Sequence, residues 1–325
     1  VRSKKKNLDI VALGETMIRH FTRDHRRLEQ CADLGFSIAG SESNLLVAAS
    51  RLGLSCGWIG KLVENPLGRK IEREIAVHGV DLSRVIWTDK GRVGSFYIEF
   101  GSPPRPTQVT YDRTDSAAST LAPGEVDWDY VRSARWFHTT GITCALSKNC
   151  LDTVHQGLEE ARRGGTKVSL DLNYRAKLWS PSKCKRILAP ILPKVDLFIS
   201  SAGDLTTVFG LKGETSDLAQ TARSELGAPM ALVAGSDGAA VVDKKGKVYT
   251  ISFDEFPIKE VDRIGAGDAF AAGFFAGMLE KDLELGLLYG AATCALKFSI
   301  PGDLALVSRE EILEVARGAT NRLHR

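Results

Sequence analysis

The stretch VDRIGAGDAFAAGFFAGML, Val261–Leu279, sets a glycine-alanine-glycine turn and one acid, Asp268, directly ahead of a run of small apolar residues. The glycines permit tight backbone geometry, and from Gly265 onward the residues lie at the amino end of the helix that the run predicts, where amides lack intrahelical partners. With the positive end of the helix dipole, such amides form an anion site suited to phosphate. An acid among these donors is expected as a carboxylate, because positive potential and amide hydrogen bonds favour the charged form. One role for Asp268 is to cap the helix. The other is to accept the proton of an attacking hydroxyl while the amides meet developing negative charge, as phosphoryl transfer demands.

Outward from this turn, short apolar runs alternate with amphipathic segments: LDIVALG, SNLLVAASRLG, CGWIGKL and PLGRKIEREIAVHG, then RWFHTTG, 147–163, KVSLDLN, 181–192, DLFISS and MALVAG. The last is followed by the hairpin-like AAVVDKKGKVYTI. The pattern predicts an α/β fold, doubly wound, with a mostly parallel sheet and helices on both faces. Two places break the rhythm, at about 14–40 and 92–113. There TMIRHF, GFSIAG, GSFYIEF and QVTYDR alternate without a helix between them, which predicts antiparallel strands of a small β-strand lid. Residues 1–325 are expected to form one domain carrying that lid, closed by helices over 268–280, 283–298 and 309–317.

The bulk numbers exclude more than they assign. A formal charge of +3 on 325 residues, with 26% charged and 43% hydrophobic content, gives no case for nucleic acid or membrane. No apolar run of about 18 residues and no signal segment is present, so a cytoplasmic location is expected. Arg2, Lys4, Lys5 and Lys6 form a basic leader, read as a solvated tail. The six cysteines are scattered without metal-ligand spacing, hence read as buried thiols, and His138 in RWFHTTG is read as a satisfied core histidine. Neither G-x-x-x-x-G-K-[ST] nor G-x-G-x-x-G opening a helix occurs, so P-loop and Rossmann enzymes gain no support.

IGAGDAFAAGF, Ile264–Phe274, resembles the carboxyl-terminal signature of the ribokinase-like (PfkB) sugar kinases, and IAGSESNLLVAASRLG, Ile38–Gly53, is similar to that family's glycine-rich sugar-binding segment. Within the family, VTYDRTDSAAS, DLNYRAKLW and PGDLA look most like segments of 2-keto-3-deoxygluconate kinases. The resemblance implies ATP-dependent phosphorylation of a sugar or sugar acid at a primary hydroxyl, with Asp268 as base and the amides of Gly265, Ala266, Gly267 and Asp268 as anion hole. It puts the sugar under the lid, near Gly40, Asn44, Tyr97, Tyr111, Arg113, Arg175 and Asp303. Arginine is the residue type for bidentate recognition of a substrate carboxylate, and a surface ion pair is the other reading of Arg113 and Arg175. Nucleotide and Mg2+ are expected along Asn173, Ser201, Asp204, Gly235, Ser236 and Gly238, with Asp204 toward the metal and a monovalent cation such as K+ as a further ligand of such kinases. Pairing of two copies through the lid strands is implied as well. A fructokinase or another kinase of the family is the alternative substrate class, and a sugar-binding relative without turnover is the alternative of another kind.

Three positions depart from the family pattern. Asp262 is followed by Arg263 and Ile264 rather than by threonine or a similar residue, which leaves the glycines intact and offers Arg263 to nucleotide phosphates or a neighbouring acid. The family's N-x-x-E element is replaced by Ser201-Ala202-Gly203-Asp204, where Asp204 serves magnesium through water or is simply an acid at a helix start. Val233 and Ala234 are apolar where a polar residue is usual, so contacts at Gly235 and Gly238 are expected from backbone.

Overall fold

A computed structural model of the chain describes residues 6–256 and 258–322. Its eight-stranded sheet runs in the order Val248–Ile251, Ala239–Val242, Ala231–Ala234, Leu197–Ser201, Lys167–Asp171, Ala134–Thr140, Leu8–Leu13, Cys56–Ile59. Strands from Ala231–Ala234 to Cys56–Ile59 are parallel; Ala239–Val242 and Val248–Ile251 form the antiparallel hairpin that AAVVDKKGKVYTI predicts. Leu8–Leu13 lies between two parallel neighbours, so both its faces need cover. Ile10 and Ala12 join one apolar cluster, Val11 and Leu13 the opposite one, as the two-residue strand period requires.

The helix Ala266–Glu280 is buried from Ala269 through Gly277. Its small residues allow this: a methyl group on Gly273 would stand 2.4 Å from the Tyr289 carbonyl oxygen, so the helix Leu283–Phe298 lies against it at close range. Phe274 and Phe275 fill the space beside the glycines with no exposed surface, each contributing about 1.5–3 kcal/mol by burial. A helix gripped so closely holds its amino end still.

A second sheet pairs Gly35–Ala39, Met17–Phe21, Ser95–Glu99 and Gln108–Asp112 in that order. Its outer pairs are antiparallel, but Met17–Phe21 and Ser95–Glu99 run parallel, where the sequence predicts antiparallel strands throughout. The physical reason is the long excursion between them: a chain that leaves the lid and re-enters after a long crossover can pair in the same direction. CGWIGKL likewise divides, Cys56–Ile59 joining the main sheet while Lys61–Val63 pairs with Ile86–Thr88.

Arg2, Lys4 and Lys5 lie outside the described residues. Lys6 is no free tail: its ammonium donates to the carbonyls of Arg132 and Gly164 at 2.6 and 2.8 Å and to Thr166 Oγ1 at 2.8 Å. His138 Nδ1 lies 2.9 Å from Ser169 Oγ, and burial lowers its pKa to about 3. Cys56, Cys144, Cys150 and Cys184 are buried free thiols; Cys31 and Cys294 are free and partly covered. Among the described residues no helix is long and apolar enough to cross a membrane.

Candidate active site

The carboxyl ends of Lys167–Asp171, Leu197–Ser201 and Ala231–Ala234 open onto one cleft, the place where parallel sheets present their ligand sites. The lid closes over it with Met17, Phe96, Val109 and Tyr111, leaving a cavity of about 550 Å³, within the size range of small-molecule sites. Gly40, Asn44, Tyr111, Arg113, Asn173, Arg175, Ser201, Asp204, Asp303 and the whole turn Gly265–Asp268 line this one space.

Gly265 opens the helix Ala266–Glu280 at φ +84°, a left-handed conformation that costs a side-chain-bearing residue dearly. Ala266 turns its N–H onto the Arg263 carbonyl at 3.2 Å, whereas the N–H groups of Gly265, Gly267 and Asp268 take no acceptor among the described residues. Ala266 is therefore the member of the expected anion hole whose amide is turned inward.

The Asp268 carboxylate is held from another helix, Ser41–Arg51. Ser41 Oγ donates to Oδ1 at 2.6 Å and Asn44 Nδ2 donates to Oδ2 at 2.8 Å. Asn173, at the end of Lys167–Asp171, donates in turn to Ser41 Oγ at 2.7 Å. Burial raises the pKa of Asp268; the bonds from Ser41 and Asn44 and the charges of Arg175 and Lys297 oppose that rise. A carboxylate so placed is readier to take a proton than a solvated cap would be. Asn44, expected on the sugar, is thus also an anchor of the acid.

Two more acids stand on the same floor. Burial, with the charges of Asp268 and Asp204, pushes Asp171 well above the usual carboxylate range against the pull of Arg175. Burial also raises Asp204, opposed by the hydrogen bond from the Tyr174 N–H and the charge of Arg175; that N–H reaches Oδ2 at 3.2 Å. Ser201 Oγ accepts the Asp204 N–H at 3.0 Å and so caps the helix Ala202–Phe209. Arg175 is the cation facing these acids. It makes no ion pair among the described residues, and its Nη1 donates to the Tyr174 carbonyl at 3.0 Å.

Other sequence expectations are altered by their surroundings. Arg113, expected to meet a substrate acid, is bound to Glu15: Nε and Nη2 both donate to that carboxylate, the former at 3.0 Å, and Ser116 donates to it as well. A guanidinium at 7% exposure needs such a partner to offset its desolvation. Asp303, expected on the sugar, is taken by Arg19 of the lid, which also bridges to Asp262 at 2.7 Å. Tyr97 faces away from the cavity: side chains alternate along a strand, so Phe96 lines the cleft while Tyr97 stacks on His20 at 4.8 Å between ring centroids. Gly235, Ser236 and Gly238 form the hairpin turn beyond Ala234, closed by the Gly235 N–H donating to the Gly238 carbonyl at 2.8 Å. Ala234 reaches the cavity wall and those three do not. Arg263 is exposed on the cavity rim.

Ser41, Asp171 and Arg19 were not anticipated. Ser41 had a signal, since it precedes Asn44 by three positions and shares its helix face. Asp171 heads the DLNYR strand end. Arg19, central in TMIRHF, had none, because its partners are distant in sequence.

The model of a family described as pfkB family carbohydrate kinase matches residues 7–306. The chain is 41% identical to the 2-dehydro-3-deoxygalactonokinase of Haloferax volcanii, over 95% of this chain and 97% of that one. It is 30% identical to the 2-dehydro-3-deoxygluconokinase of Bacillus subtilis, over 94% of each. The crystal structure of the Thermotoga maritima 2-dehydro-3-deoxygluconokinase superposes with a TM-score of 0.88 at 29% identity, covering 96% of this chain and 99% of that one.

Proposed function

The chain belongs to the pfkB family of carbohydrate kinases, and from that premise we propose that it moves the γ-phosphoryl group of ATP to the primary hydroxyl of a 2-keto-3-deoxy sugar acid of gluconate or galactonate configuration. The observation that carries this reading is the meeting, in one cavity, of a held carboxylate with amides and an arginine that, among the described residues, have no acceptor and no ion-pair partner respectively. Asp268 takes the hydroxyl proton as the oxygen attacks, while the amides of Gly265, Gly267 and Asp268 meet the charge of the transferring group. Arg175 receives the substrate carboxylate; a neutral ketose, the substrate of a fructokinase, would leave that cation unanswered.

Among the described residues no three metal-ligating side chains converge. Magnesium keeps several waters and leans on substrate phosphates, and Asp204, which lines the cavity, is the carboxylate that would hold it. When bound, it would neutralise phosphate charge. Arg263, exposed at the rim, is within the part of the cleft open to nucleotide phosphates, and Ala234 presents the apolar wall near Ser201 and Asp204.

Turnover over a panel of keto-deoxy acids and neutral hexoses, read by coupled ADP release, tests the proposal. Keto-deoxy acids are expected to be phosphorylated, and Asp268→Asn to lose about 10³-fold in kcat, the scale of a lost general base. Full activity in Asp268→Asn overturns the base; heat protection by sugar acid with no turnover marks a binding protein instead. The same reading takes residues 1–325 as one cytoplasmic domain with its lid and joins two copies through lid strands, where Phe36 is 43% exposed; a monomer by light scattering refutes the pairing.

A further inference from the structure

Lys297, in the last turn of the helix Leu283–Phe298, has no exposed surface, yet among the described residues its ammonium touches no carboxylate directly. Nζ donates instead to two main-chain carbonyls, Asp262 at 2.9 Å and Ile300 at 3.0 Å. Those carbonyls belong to the two segments that build the underside of the Gly265 turn. Asp262 begins the turn, its Oδ1 accepting the Ile264 N–H and its Oδ2 the Gly302 N–H, each at 3.0 Å. The second segment runs from Ile300 to Asp303, and its Asp303 carbonyl lies where a methyl on Gly265 would be, at 2.1 Å.

Charge completes the arrangement. Arg19 bridges the carboxylates of Asp262 and Asp303, and Lys297 feels both acids. Two buried cations thus balance two buried carboxylates. Without the ammonium, the buried cluster beneath the anion hole keeps one uncompensated negative charge and two unpaired carbonyls, each a costly state away from water. The charge of Lys297 is also felt at Asp268.

We infer that the Lys297 ammonium is a tethered cation of the active site: a positioning residue that pins the Asp262 and Ile300 carbonyls, holds the amides of the Gly265 turn in place, and does within the chain what a free monovalent cation bound to carbonyl oxygens would do. The inference rests on the kinase reading given above. On this inference K+ is dispensable, in place of the monovalent cation that the resemblance implies.

The test compares the wild-type chain with Lys297→Met and Lys297→Ala in potassium, ammonium or tetramethylammonium chloride at equal ionic strength. Wild-type kcat is expected to vary less than about twofold among the salts, tetramethylammonium being too large for a carbonyl-lined site. Lys297→Met is expected to lose roughly 10²-fold in kcat, the scale of a misplaced transition-state donor, with sugar-acid KM within about threefold because Arg175 is untouched. In Lys297→Ala, ammonium or potassium is expected to restore at least about tenfold of the lost kcat and tetramethylammonium none, a rescue that a purely structural lysine would not show. Wild-type activation of tenfold or more by potassium overturns the inference, as does full activity in Lys297→Met. If the wild-type chain turns over no sugar in any salt, the kinase reading fails, and melting temperature then decides the inference alone. A Lys297→Ala melting point raised by ammonium or potassium but not by tetramethylammonium, against none in wild type, supports it; equal salt responses in both overturn it.

Discussion

The Asn44 amide donates to the Asp268 carboxylate at 2.8 Å across 224 residues of sequence, joining the helix Ser41–Arg51 to the helix Ala266–Glu280. Ser41 holds the other oxygen at 2.6 Å. These bonds favour the ionised acid while burial disfavours it, so burial wins and the pKa stands above the ordinary aspartate value. If Asp268 is the base, as proposed, it works only when deprotonated, and kcat/KM is then expected to fall as pH drops through that raised pKa. Ser41→Ala removes one stabilising bond and moves the acid limb to higher pH. A pH–rate profile checks this; an unmoved or lowered limb contradicts it.

Arg113 and Arg175, which both line the cavity, have opposite consequences. Arg113→Ala leaves Glu15, 4% exposed, as an unpaired buried charge and is expected to destabilise the fold by about 3–5 kcal/mol, seen in denaturant melts. Arg175→Ala breaks no ion pair among the described residues, so stability changes by less than about 1 kcal/mol. Its KM for a keto-deoxy acid rises roughly 10-fold or more, with little change for a neutral hexose. An Arg175→Ala enzyme with equal losses on both substrates would remove the acid-binding role.

Gly265→Ala meets two obstacles, φ +84° and the Asp303 carbonyl 2.1 Å from the new methyl. The turn must shift, and kcat is expected to fall about 10²-fold with the misplaced amides. Gly267→Ala is the control, since nothing lies within 4 Å of its added methyl; its melting temperature should match the wild type. Equal melting temperatures for both variants would contradict the contact.

Glu42, fully enclosed beside the site, accepts bonds from Thr140 and Thr143 at 2.8 and 2.7 Å on one oxygen. Burial raises its pKa to about 7 from the usual 4.5, with the Asp268 charge adding to the rise. The native state therefore holds this proton more tightly than the unfolded chain does. The stability that follows is fully present below pH 4.5 and is lost as pH rises through 7, by on the order of 3 kcal/mol. Glu42→Gln lacks this loss, so its stability relative to wild type should grow between pH 5 and 8 in urea melts; a flat difference refutes it.

Much of the scaffold is written locally. LDIVAL reads as a strand covered on both faces because its apolar residues run unbroken from Ile10 to Leu13, and the sheet buries those four. The Asp268 turn is legible for the same reason: glycines, acid and small-residue helix follow one another within one stretch. What escaped reading depends on distant partners. Tyr97 and Phe96 are both aromatic, and their facing is settled by the register of Ser95–Glu99 against Met17–Phe21. Arg113 carries the same guanidinium as Arg175, and only the approach of Glu15 sets its employment.

The sequence by itself determined the alternating sheet, the turn at Gly265 and the acid at Asp268, because backbone geometry, helix-end amides and side-chain period act over a few neighbouring residues. Tertiary structure decided which charges remain available. Arg19, Arg113, Lys297 and Asp303 are spent on partners up to 284 residues away, while Arg175 is left facing the cavity. Desolvation makes that choice: a buried charge must find an opposite charge or a polar ligand, and which one it finds depends on packing that no local stretch encodes.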